Sequence, residues 1–210
     1  MLYNTHKKYG QVFGFVAMPL LVANELTVDT TSVMGMVAYV ATAYTGAKFG
    51  AEFPDIDSAT SKPAKKHPII RKAFKSFGVK HRGKFSHDLV VQAIFWSILI
   101  SLINAPQFEM GMMTFVQSLV STYAMFAAVG VFSHLVADAM TVDGITIGFV
   151  PFKFMPTFIR KVNILGFKPF KKAFTTASAW NDMHYRFLSV VFPLIACVVL
   201  FQLFNVMNYM

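Results

Sequence analysis

The chain has 210 residues, a formal net charge of +9 and 55% hydrophobic residues, with a mean hydropathy of +0.53. Only 14% of its residues are charged, against about 25% in a typical soluble domain; this excludes an ordinary water-soluble globule and points to an integral membrane protein. A single cysteine, Cys197, lies in an apolar run, so disulfides and thiolate metal sites are excluded and any metal must be held by His, Asp or Glu.

Five apolar stretches follow in chain order, each read against the roughly 20 residues a helix needs to cross a bilayer. Tyr9 to Val28 is the weakest, interrupted by Asn24 and Glu25 and carrying Pro19. Val33 to Phe53 is apolar up to Lys48 and Glu52, Leu89 to Ala105 is short and uncharged, and Met112 to Asp138 is uncharged until its last residue. Phe187 to Asn208 carries no charge. Met1 to Gly10 is polar and no small-residue cleavage site follows the first apolar run, so no cleavable signal peptide is expected. The reading is an all-α, polytopic membrane helical bundle of four to five transmembrane helices, forming one domain over residues 1–210.

Charge sets the expected sidedness. Of 19 Lys and Arg residues, Lys7 and Lys8 precede the first stretch, nine lie between Ser58 and Ser86, and seven lie between Ala139 and Arg186. The connections at Glu25–Ser32 and Asn104–Gly111 have none. The positive-inside rule therefore puts the N-terminus and both long basic loops in the cytoplasm. These loops, Ser58–Val79 and Ile145–Phe174, interleave Phe, Ile and Pro with Lys and Arg. Such mixtures suit an anionic lipid interface, and nucleic acid is the weaker alternative.

With that topology, scattered His and Asp residues fall on one side of the membrane: His6, Asp55, Asp57, His81, His87, His134 and Asp138. Imidazole and carboxylate ligands suit a divalent metal, zinc first, with manganese or iron as alternatives. His134 and Asp138 stand at i and i+4 and share a helix face; they could ligate a cation, or serve as polar glue between helices. Asp55 and Asp57 could ligate, bridge two ions or cap the next element. Ser86 or Asp88 could cap the helix that starts at Leu89. Arg82 could clamp a phosphate or carboxylate. Thr141 and Gly144 are expected to shape the exit from the fourth helix. His67 is read as solvated, and His184, near Asp182, could join the site or stand at the interface.

Together these motifs resemble the YdjM-like family of LexA-regulated, membrane-bound metal-dependent hydrolases. The resemblance runs through Thr5-His6, Pro54-Asp55-Ile56-Asp57, His81-Arg82-Gly83, Ser86-His87, Ser133-His134-x3-Asp138-x2-Thr141, Gly144 and Pro151-Phe152. Here the second histidine motif comes one residue later than in the family pattern, and Asp182 takes the place of a C-terminal glutamate. The resemblance implies a hydrolase in the bacterial (or phage-infected) cytoplasmic membrane, with one or two divalent ions facing the cytoplasm. The residues then suggest cleavage of a phosphoester such as a lipid headgroup, with Asp57 or Asp88 as general base and Arg82 holding the anion. The rival readings are a scaffold or regulator with a structural metal and a metal or ion transporter. Substrate and oligomeric state are not encoded in any motif.

Overall fold

Three helices begin where a side-chain oxygen accepts from first-turn amides that have no partner within the helix. Ser32 Oγ accepts from Gly35 N at 3.0 Å, Ser61 Oγ from Ala64 N at 3.0 Å, and Asp88 Oδ1 from Val90 N and Val91 N at 3.0 and 3.1 Å. The computed structural model describes residues 3–22, 27–81, 83, 85–105, 112–139, 145–147, 150–151 and 179–209. In chain order these form α1 (Tyr3–Leu21), α2 (Val33–Glu52), a single 3-10 turn (Pro54–Asp57), α3 (Lys62–Lys66), α4 (Pro68–Ser76), α5 (Leu89–Ile103) and α6 (Met112–Ala139), with α7 (Ala179–Tyr209) last. Between α6 and α7 a two-residue antiparallel ladder pairs Thr146 with Pro151 and Ile147 with Val150. Among the described residues every other regular element is a helix, as expected.

Among the described residues two helical segments, Thr114–Ala139 and Tyr185–Leu203, are long and apolar enough to cross a membrane. That is fewer than the four to five expected. The 15-residue α5 is about 22 Å long at 1.5 Å per residue, short of a hydrocarbon core of roughly 30 Å. The sequence of α1 includes Lys7, Lys8 and Gln11, and that of α2 includes Lys48 and Glu52 among Gly, Ala and Thr, which dilutes both. A second correction concerns residues 58–79, expected as a loop: α3 and α4 occupy most of it. Gly78, at φ +66°, ends α4. Its amide bonds Lys75 O while Val79 N reaches Phe74 O, a glycine-dependent helix stop.

α6 packs against α1, α2 and α5, and α1 also packs against α2 and α7. Small residues let the backbones approach closely, as in membrane helix pairs. A Cβ on Gly10 would lie 2.5 Å from Ala51 Cβ, and one on Gly46 would lie 2.5 Å from Tyr123 O. Added carbons at Gly50 and Gly130 would collide with the backbone oxygens of Ala127 and Ala47. One apolar cluster joins Phe15, Met18, Tyr39 and Phe126; the other, with Phe53, Ile56, Phe74, Trp96 and Leu135, lies under the 3-10 turn. The outside is apolar as well. Val90, Ile94, Ile98 and Leu102 form an exposed stripe along α5, and Phe187, Val190, Leu194, Val198 and Phe201 lie bare on α7. Contiguous uncovered apolar surface of this extent marks contact with lipid or protein rather than water.

Candidate metal centre

The 3-10 turn follows α2 directly and places Asp55 beside the last turns of α6, where His134 and Asp138 sit one turn apart. α1 brings His6 to the same place, and the segment before α5 brings His87. His6 Nε2 lies 3.4 Å from Asp138 Oδ1; His87 Nε2 and His134 Nε2 each lie 3.4 Å from Asp138 Oδ2. Asp55 Oδ1 is 3.9 Å from His134 Nε2. The rings of His6 and His134 stack at 3.9 Å and 14°, and His87 meets His134 edge-on at 5.4 Å. The side chains of His6, His87, His134 and Asp138 are at most 4% exposed, whereas that of Asp55 is 24% exposed and marks the open side.

Outer contacts fix which nitrogens point inward. A carbonyl can only accept, so the 2.8 Å contact of His134 Nδ1 with Ala51 O puts the proton on Nδ1 and turns the Nε2 lone pair to the centre. Ser86 Oγ donates to Asp57 Oδ2 at 2.5 Å and lies 3.0 Å from His87 Nδ1. His87 Nδ1 therefore donates to Ser86, and its Nε2 also faces inward. The result is a group of lone-pair atoms aimed at one another, which a cation satisfies. Two ligands about 2.0–2.1 Å from a tetrahedral zinc stand about 3.3–3.4 Å apart, close to the three observed separations. Two triads, His87–His134–Asp138 and His6–Asp55–His134, each bring three such ligand atoms within 4.8 Å of one another. Among the described residues the buried His134 Nε2 makes no well-aligned hydrogen bond, with Asp138 Oδ2 3.4 Å away, which leaves its lone pair open to a cation.

The other expected site residues fall elsewhere. Asp57, with a fully buried side chain, pairs with His81 Nδ1 at 2.7 Å and stands 3.6 Å from His87 Nδ1. These contacts place Asp57 and His81 behind His87, outside both triads, and His81 is half exposed. Of the two roles expected for Asp88, the geometry shows the helix cap. Arg82, Thr141, Gly144 and Phe152 lie outside the described residues, as do the side chains of Asp182 and His184. His67 is a correction: rather than being solvated, its side chain is 22% exposed, with Nε2 3.6 Å from Glu52 Oε2 and its ring edge-on to Phe49. Glu52 itself went unremarked as a site neighbour. It is buried, accepts from Tyr3 Oη at 2.9 Å and from Lys66 Nζ at 2.7 Å, and adjoins the residue whose carbonyl orients His134. A charged residue near the end of an apolar run was the available signal.

The sequence model of the YdjM inner membrane protein matches residues 1–209. The chain belongs to that family. The YdjM family's inner-membrane location agrees with the two apolar helices and the bare apolar stripes. No curated protein and no solved structure matches the chain.

Proposed function

We propose that this YdjM-family chain is a metal-dependent hydrolase of the inner membrane that cleaves a phosphoester at the cytoplasmic leaflet. The observation that carries the reading is the inward convergence of His87 Nε2, His134 Nε2 and Asp138 at 3.4 Å, with the far nitrogens held by Ser86 and Ala51. His6, Asp55, His87, His134 and Asp138 would hold the metal, zinc by preference. Asp138 presents one oxygen to His6 and the other to His87 and His134, so the same residues accommodate one ion or two. Such a metal supplies a water of lowered pKa and polarises the scissile bond.

The protein residues divide the remaining work. Asp55, the exposed member, lies where substrate arrives. Asp57 is a positioning residue: through Ser86 and His81 it holds the ring of His87. In this reading Arg82 and the lysines of residues 58–86 draw the anionic group to the site. α1 and α2 lie in the bilayer with α6 and α7, shielded by packing rather than by their own hydropathy. With α5 this completes a four- to five-helix bundle, with the N-terminus and metal centre in the cytoplasm, as the basic segments favour.

A second reading has one observation of its own. Four of the five ligands are almost wholly buried, and closed sites are the structural kind. Metal content and phosphodiesterase activity should therefore be measured together on detergent-purified protein, using bis(p-nitrophenyl) phosphate and phospholipid mixed micelles. Wild type should hold one or two equivalents and turn over; His134→Ala should lose both while inserting normally. Bound metal that raises the melting temperature with no turnover would favour the structural reading. A metal-free wild type under replete conditions would end both.

A further inference from the structure

α4 has two apolar ends that the bundle leaves uncovered. Ile70 and Phe74 turn inward, and Phe74 stacks edge-on against Phe53 and Phe85. On the outer side Ile69 is 82% and Phe77, just past the helix, 84% exposed. Ile69, Ala73 and Phe77 follow at steps of four, so they form one stripe, and Arg71, Lys72 and Lys75 are exposed on the remaining circumference of the same helix. From Ser58 to Ser86 there are nine Lys and Arg residues and no Asp or Glu.

We propose that α4 lies in the headgroup layer of an anionic leaflet, with Ile69 and Phe77 inserted and Arg71, Lys72 and Lys75 on lipid phosphates. Depth supports this. Phe74 rests on Phe53 at the end of α2 and on Phe85 just before α5, at the same end of the bundle as His134 and Asp138. Asp138 is the first charged residue along the membrane-competent α6 and marks the close of its apolar run. α4 therefore sits level with the end of a span, where rings and aliphatic tips meet headgroups. Charge selects the occupant: a second copy would bring the same unbalanced cations, whereas an anionic lipid surface attracts each one. The inference holds whether or not the metal centre turns over substrate.

The test places an environment-sensitive fluorophore on Ile69→Cys, and separately on Phe77→Cys, in a Cys197→Ser background. The full chain is reconstituted in nanodiscs of phosphatidylcholine alone or mixed with phosphatidylglycerol. Both labelled positions are exposed, so the probe leaves the core intact. With phosphatidylglycerol, emission should shift to the blue and resist aqueous iodide, and high salt should reverse this as screening shortens. Replacing Arg71, Lys72 and Lys75 by Gln should move the docked-to-free ratio by about a hundredfold at unchanged melting temperature. Equal emission in the two lipid compositions overturns the proposal, and so does protection that depends on protein concentration rather than on lipid charge.

Discussion

Gly50→Ala tests how helix packing builds the metal centre. The added Cβ would collide with Ala127 O, and a carbon needs about 3.3 Å from a carbonyl oxygen. α2 and α6 must therefore part by about 1 Å or more at this level. The neighbouring Ala51 O holds His134 Nδ1 at 2.8 Å, and lengthening that contact by about 1 Å takes it past the limit of a hydrogen bond. Overpacking costs about 1–3 kcal/mol and the lost bond about 1 kcal/mol, so the substitution should destabilise by about 2–4 kcal/mol. With His134 no longer held in one tautomer, metal affinity should fall about 10- to 100-fold. Thermal unfolding in detergent, followed by tryptophan emission, reads the first effect, and chelator competition reads the second. A Gly50→Ala protein with wild-type melting and wild-type affinity would refute both the packing argument and the role given to Ala51.

Two further substitutions separate neighbouring roles. Asp57→Asn should keep bound metal but weaken it about 10- to 100-fold, whereas a ligand role for Asp57 predicts loss as complete as in His134→Ala; equilibrium dialysis against a chelator distinguishes them. Asp88→Asn should retain stability and metal because Asn also caps helices, while Asp88→Ala should cost about 1 kcal/mol. Full stability in Asp88→Ala would refute the cap, and selective loss of turnover in Asp88→Asn would restore the general-base role.

Helix positions were legible where composition changes sharply. Val33 and Leu89 open apolar runs in the sequence and open helices in the structure. His134 and Asp138 were legible as a pair because helical spacing alone puts them on one face. The layering of the centre was not legible. Asp55 and Asp57 look equivalent in a four-residue motif, but the 3-10 turn sends one to His134 and the other behind His87. The partners of Glu52 were equally hidden, since Tyr3, Lys66 and His67 reach it only through tertiary packing. The hydropathy of α1 and α2 overstated their independence as spans, because much of their apolar surface faces other helices.

The stacked rings of His6 and His134 also bear on how the protein is made. One comes from the start of the chain, the other from the end of its longest central helix. No ribosome-bound intermediate can own this site before α6 has left the exit tunnel. Before α6 is made, α1 can pack on α2 but His6 lacks the ring it stacks on, and the site closes only when α6 packs against both helices. Completion of the site, and with it the loading of the proposed metal, thus waits for the whole bundle: a chain stalled before His134 emerges carries His6 on α1 without the residues that close around it.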